Sequence, residues 1–267
     1  MITYVRCPVI FQYLLTFIRT WAQNVGLYGQ VYGYLGGFSW AILCAHICRQ
    51  YLPSNLEMFS LDQFFQLIKK FFSTYANFNW THDSISLYPH HRSGDTRGAM
   101  QILCPSPPYD NSSRSTINST QSLIIEGFRQ ACEEENDAIL ELSHRFPHST
   151  IQSILQLTLA GQTINELNQW VGYMKSRLAH FLTDCEDNCQ LFVQTDHRME
   201  CRDKPLERFY SLGFQLNEEI VSRNREFYYA LNKFLDQFKS CVWRTNTMKF
   251  SYKLMSIKQW RDERLKN

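Results

Sequence analysis

The sequence predicts an α+β protein: a helical first half, then a domain in which strands and helices alternate. Three observations carry this. Apolar residues recur at helical spacing over the first hundred residues, periodicity lapses over residues 81–118, and helical and strand-like segments then interleave to the end. With 267 residues, 44% hydrophobic and 15% aromatic, the chain can bury a sizeable core, which excludes a disordered or fibrous protein.

Taken in order, Val9–Gln23 places Phe11, Leu14, Leu15, Ile18 and Trp21 on one helical face. Glycines 26, 29, 33, 36 and 37 then break the pattern. Phe38–Leu52 is apolar nearly all round, as a centrally packed helix would be, and Pro53 stops it. Ser60 with Gln63 is a capping-box signature for the helix bearing Phe64, Phe65, Leu67, Ile68, Phe71 and Phe72. Residues 81–118 read as a long irregular crossing between domains. A helix over Leu123–Leu142 is expected to start through Ser119 or Thr120. From residue 151 come a strand (Ile151–Leu159, with Ile154 out of phase), a helix capped by Thr163, strands at Gln190–Thr195 and Arg208–Leu216, a helix over Asn224–Val242, and a strand over Met248–Ile257. That β-α-β-β-α-β order is the ferredoxin-like arrangement. The expected boundaries are residues 1–110 for the helical domain and 111–267 for the second.

Charge and cysteine content narrow the class less. A net charge of +2 demands no global contact with nucleic acid, and nine scattered cysteines without a signal-peptide start read as free thiols in a reducing compartment. The apolar run Pro8–Ile18 is too short to span a bilayer, so no membrane partner is expected.

Four constellations stand out. The glycine-rich segment opens onto a helix, where first-turn amides favour anions and glycine lets backbone approach a ligand; tight helix packing uses glycine equally well. Cys185, Cys189, His197 and Cys201 have zinc-ligand chemistry at an unusual spacing, and ordinary thiols are the competing reading. From Lys239 to Asn267, eight basic residues oppose Asp262 and Glu263, a net +6, with Tyr252 and Trp260 interleaved; phosphate contact plus base stacking needs this mixture, and a lysine-guarded edge strand resembles it. No Asp-x-Asp follows the Gly36-Gly37 pair, and no nucleophile elbow or HExxH motif occurs; the His90-His91 pair belongs to no array. No catalytic residues and no metal ligands are therefore assigned.

Several stretches together resemble the eukaryotic nuclear poly(A) polymerase family. Ile18-Arg19-Thr20-Trp21-Ala22 with Leu27-Tyr28 resembles its IKLWA…IY stretch, and YLGGFSWA at Tyr34–Ala41 resembles FLGGVxWA. Trp80 resembles the tryptophan closing the family's middle domain. Met100–Pro108, Asn111 and Ser119-Thr120 follow its crossing into the RNA-binding domain, and Trp170-Val171-Gly172 with Lys175-Ser176-Arg177 follows WVGxxESKxR. Met248–Leu265 is similar to the last strand and basic exit of that domain.

The resemblance implies a middle helical domain that closes over ATP, joined to an RNA-binding domain, in a protein adding adenylate to RNA 3′ ends in the nucleus. By position, Arg19 replaces the lysine contacting the triphosphate, Tyr28 matches the phosphate-contacting tyrosine, Gly37 the adenine-side glycine, and Phe38 replaces a valine packed on adenine. Arg19 keeps the charge without the point-like geometry of lysine, and Phe38 enlarges the adenine wall. RNA contact is expected at Lys253, Lys258 and Arg261. The metal-binding aspartates of the family, which hold Mg2+, belong to a catalytic domain expected to precede this chain. The expected partners are thus an RNA 3′ end, ATP, and a separate catalytic domain or 3′-processing proteins. The alternative is a non-catalytic RNA-binding or scaffold protein derived from the family. An exposed apolar face around Phe11, Phe17 and Trp21 is expected where an absent part would pack.

Overall fold

A computed structural model describes residues 5–53, 59–88, 95–134, 138–141, 148–196 and 205–265. The chain divides into two compact units, residues 1–30 with 34–145, and residues 31–33 with 146–267.

The first unit is helical. Helices α1 (Pro8–Asn24), α2 (Gly37–Tyr51), α3 (Leu61–Ala76) and α4 (Asn118–Glu133) form where the apolar spacing places them. Ser60 and Gln63 make the reciprocal cap of α3: Ser60 Oγ accepts from Gln63 N–H at 3.2 Å, and Ser60 N–H donates to Gln63 Oε1 at 2.8 Å. An aromatic cluster holds the helices together. Trp21 of α1 lies 6.1 Å from Trp40, 4.7 Å from Phe72 and 5.8 Å from Phe128, all four rings buried. Phe128 belongs to α4, so this helix completes the core of the first unit. The changeover between units therefore lies beyond the expected 110/111 boundary. Helix α4 starts at Asn118, because the Ile117 N–H donates to Thr120 Oγ1 at 3.1 Å, so Thr120 serves from inside the first turn. It ends at Glu133, short of Leu142, in the acidic run Glu133–Glu135.

The irregular segment between α3 and α4 is ordered by side-chain hydrogen bonds. Asn111 Oδ1 accepts from Ile102 N–H (3.0 Å) and Ser113 N–H (3.1 Å), while its Nδ2 donates to Arg97 O (2.7 Å) and Met100 O (2.9 Å). A buried asparagine thus satisfies a buried loop backbone.

The second unit carries a four-stranded antiparallel sheet of β1 (Ser153–Ala160), β2 (Val193–Thr195), β3 (Glu207–Phe214) and β4 (Lys249–Ser256), ordered β2-β3-β1-β4. With α5 (Ile164–Asp187) and α7 (Arg225–Lys239) as crossovers, this is the ferredoxin-like topology expected. Thr163 Oγ1 accepts from Glu166 N–H at 3.2 Å, and Asn224 Oδ1 from Phe227 N–H at 2.9 Å, capping the two helices. Leu155, Leu157 and Leu159 share one sheet face with Phe250, which stacks on Phe238 of α7 at 4.2 Å. Ile154, out of phase in the sequence, faces the other way and packs with Ile151, Met255 and Trp260. Two helices went unforeseen: α6 (Glu218–Arg223) and α8 (Ile257–Leu265). Helix α8 returns Trp260 onto that second face, where its Nε1 donates to Ser211 Oγ at 3.3 Å.

Candidate functional site

The turn between α1 and α2 is fixed by its backbone. Val25 N–H donates to Trp21 O (2.9 Å) and Leu27 N–H to Ala22 O (2.8 Å). Gly26 (φ 76°) and Gly29 (φ 120°) then adopt conformations that favour glycine. Gly29 N–H donates to Leu35 O (3.1 Å), Tyr28 forms an isolated bridge with Leu35, and Trp40 Nε1 donates to the same Leu35 carbonyl at 3.1 Å. Leu27 packs against α4 at Gly127, where a Cβ would lie 2.5 Å from Leu27 Cδ1. The turn is therefore clamped by helices on both sides.

Three of the four residues singled out for nucleotide contact meet here. Arg19 projects from the exposed side of α1, its guanidinium carbon 5.7 Å from the Tyr28 ring centroid. The Tyr28 hydroxyl in turn lies 2.8 Å from where a Cβ on Gly37 would stand. Gly37 is thus set by contact with a neighbouring side chain, since its own φ is that of an ordinary helical residue. Phe38 follows it, 49% exposed. Gly36 is the N-cap of α2 and supplies no side-chain acceptor for the first-turn amides. A guanidinium, a phenol and a helix start without a side-chain cap are together suited to an anion, and the exposed Phe38 ring to an apolar plane beside it. Ser39 behind them is held by Ser112, donating to its carbonyl at 3.1 Å with the two hydroxyls 2.9 Å apart. The thiols of α2 offer no nucleophile: burial pushes Cys44 up, and Cys48 up to about 12.

The three residues expected at an RNA surface lie on β4 and α8. Lys258 and Arg261 are exposed on α8. Lys253 on β4 is ion-paired with Glu263. Of the two interleaved aromatics, Tyr252 is 43% exposed and Trp260 only 3%. Trp260 is therefore no stacking surface: it fills the sheet face, and Arg264 lies 4.3 Å over its ring. The alternation of charges and rings in the tail gave no sign that the chain re-enters a helix there.

The expected apolar face also changes. Phe11 and Trp21 are buried at 3% and 0%. The exposed stripe is instead Val9 and Tyr13 on α1, two turns and one turn before the half-buried Phe17, which meets Phe64 of α3 at 6.4 Å. Trp21 turns inward because α2, α3 and α4 supply ring partners.

Cys185 and Cys189 are described, but His197 and Cys201 of the suggested zinc set lie outside the described residues, as do His90 and His91. Cys189 is held below the usual thiol value by the hydrogen bond from Cys185, and the eight described cysteines are free thiols. Among the described residues no three His, Cys, Asp or Glu side chains converge as metal ligands, and no helix is long and apolar enough to cross a membrane.

Comparison with known proteins shows the family. A family profile described as the poly(A) polymerase central domain matches residues 10–146. Nuclear poly(A) polymerase 1 of Arabidopsis thaliana is 27% identical over 248 residues, covering 87% of this chain and 34% of that protein. Nuclear poly(A) polymerase 3 of the same plant is 30% identical over 188 residues (67% and 35%), and poly(A) polymerase pla1 of Schizosaccharomyces pombe 25% identical over 205 residues (66% and 33%). The chain thus spans about a third of the length of the curated relatives it matches. With just over half of its residues inside the family profile, the chain belongs to the poly(A) polymerase family through its central domain.

Proposed function

We propose that this chain is the ATP-closing and RNA-binding portion of a nuclear poly(A) polymerase, which adds adenylate to RNA 3′ ends. The observation that carries the reading is the meeting of Arg19, Tyr28 and Gly37 at the start of α2. Arg19 donates to triphosphate oxygens, Tyr28 donates its hydroxyl to a phosphate, and the first-turn amides of α2 add a fixed positive field. The missing side chain at Gly37 lets the Tyr28 hydroxyl sit at the start of α2 on the adenine side, and Phe38 packs on adenine. Lys258, Arg261 and Lys253 hold the RNA backbone through phosphate contacts, with the salt dependence such contacts bring.

Among the described residues no carboxylate cluster converges that would hold the Mg2+ the reaction uses. No step on this chain runs through the metal. Its place is on a catalytic domain that acts together with this portion, and that domain, with other 3′-processing proteins, is the partner proposed.

The test is adenylate incorporation into an RNA primer with Mg-ATP, by this chain alone and with a family catalytic domain supplied in trans. Incorporation that requires both polypeptides supports the reading. Incorporation by this chain alone contradicts the placement of the chemistry. RNA binding without incorporation in either mixture favours the alternative, a non-catalytic RNA-binding or scaffold protein of the family.

A further inference from the structure

Around the buried Trp170, the second unit carries rings and guanidinium groups at its surface that are separate from the basic residues of β4 and α8. On α5, Trp170 and Tyr173 stack with centroids 5.8 Å apart and planes 6° from parallel. Trp243, from the turn after α7, stands edge-on to both, at 6.1 Å and 5.4 Å. Arg177 lies 5.0 Å over the Tyr173 ring, and Arg244 lies 5.7 Å over Trp170. Residues 170, 173 and 177 follow one another at three- and four-residue steps, so helical geometry lines them along one face of α5.

The array is held before any ligand arrives. Trp170 Nε1 donates to Lys249 O at 3.0 Å, the Tyr173 hydroxyl to Gln237 O at 2.8 Å, and Phe238 packs against both rings at 5.0 Å and 5.5 Å. The turn bearing Trp243 is anchored as well. Arg244 N–H donates to Cys241 O (3.1 Å) and its Nε to Met248 O (3.2 Å), while the Thr245 and Thr247 hydroxyls donate to the Glu166 carboxylate at 3.1 Å and 3.0 Å. Yet Trp243 leaves 46% of its surface to solvent beside the fully exposed Val242. Neither Arg177 nor Arg244 has a carboxylate partner among the described residues.

An exposed indole, edge-on to two rings that each carry a guanidinium without a carboxylate partner among the described residues, matches one chemistry well. Any nucleobase presents a π-face to a ring, and its neighbouring phosphates present anions to arginine. The array is continuous with the proposed RNA surface, since Lys249 begins β4 and leads to the exposed Tyr252 and Lys253. We propose that Trp243, with Tyr173, Arg177 and Arg244, forms a subsite that stacks one base of single-stranded RNA and holds its flanking phosphates. This subsite rests on the reading that the chain binds RNA, and turns a charged surface into a defined base contact.

The test is fluorescence anisotropy of the full chain with labelled oligoadenylate and with an abasic strand of equal length. Trp243→Ala should weaken oligoadenylate binding about 5- to 30-fold. Affinity for the abasic strand should stay as it is, since no charge is removed. Trp243→Phe should restore most of the affinity, and Trp243→Leu, which keeps apolar packing without a π-face, should not. Arg244→Ala should lower the slope of log affinity against log salt by about 0.7. A wild-type chain that binds RNA while Trp243→Ala and Trp243→Leu bind oligoadenylate equally well overturns the subsite and leaves the RNA reading standing. Equal losses on the abasic strand also overturn it. A wild-type chain that binds no RNA overturns both.

Discussion

The turn ahead of α2 and the β4–α8 segment hold the two groups of residues proposed to meet nucleotide and RNA, and they are built on different principles. In the turn, position follows from exclusion. Gly26, Gly29 and Gly33 adopt positive φ, Gly37 has its Cβ space taken by the Tyr28 hydroxyl, and Gly127 lets α4 press on Leu27. In the β4–α8 segment, position follows from the anchor Trp260, which seats a nine-residue helix whose Lys258, Arg261 and Asp262 are exposed. A region made by exclusion should respond to a single methyl group. A region made by charge should respond to salt and to the number of cations.

The largest effect expected lies behind the turn. Trp21→Ala removes the ring that meets Trp40, Phe72 and Phe128 and should cost about 3–5 kcal/mol in urea unfolding, whereas Lys258→Ala should stay within about 0.5 kcal/mol. Comparable losses would break the contrast. Next comes a double-mutant cycle. Gly37→Ala alone forces the Tyr28 hydroxyl aside, but beside Tyr28→Phe the new methyl finds the hydroxyl gone and the ring carbon at an ordinary 3.9 Å. Non-additivity of about 1 kcal/mol is expected, and an additive cycle would mean that the hydroxyl does not reserve the glycine. On the charged side, Lys258→Ala and Arg261→Ala should each lower the salt slope of RNA binding by about 0.7. Lys253→Ala should lower it less, because Glu263 already neutralises that ammonium. A slope that changes equally for all three would show that the ion pair opens on binding.

The smallest effect is a dependence on pH at the turn bearing Trp243. The Gln162 N–H, and then the Thr247 and Thr245 hydroxyls, hold the Glu166 carboxyl below its ordinary value. The folded chain therefore binds this proton more weakly than the unfolded chain. The stabilisation is present above the unfolded value and is lost as pH falls through the folded one. The stability difference between wild type and Glu166→Gln should be present near pH 7 and shrink below about pH 4. A difference that grows on acidification would contradict the assignment.

Most of the fold was legible because its signals are local. The Ser60–Gln63 box, the cap at Thr163 and the period-two run in β4 each determine their own neighbourhood. The misses are non-local. Phe128 is one apolar residue among many in the sequence, yet it draws α4 into the first unit by meeting five aromatic neighbours from α1, α2 and α3. Trp260 reads as an interleaved aromatic until β4 and α8 fold it back onto Ser211. The meeting of Arg19 with Tyr28 could be anticipated only through family resemblance, since eight residues of helix end and turn separate them. The array around Trp243 joins residues some seventy positions apart, and no local pattern announces it.

The central claim is that Arg19, Tyr28 and Gly37 position ATP, and the most direct measurement is the split between the KM for ATP and the KM for RNA primer in the reaction reconstituted with the catalytic domain. Arg19→Ala and Gly37→Val should raise the KM for ATP about tenfold or more and leave that for RNA unchanged, because a lost charge-assisted contact is worth about 1.5–3 kcal/mol. An unchanged KM for ATP in both variants, with the KM for RNA raised instead, would contradict the account.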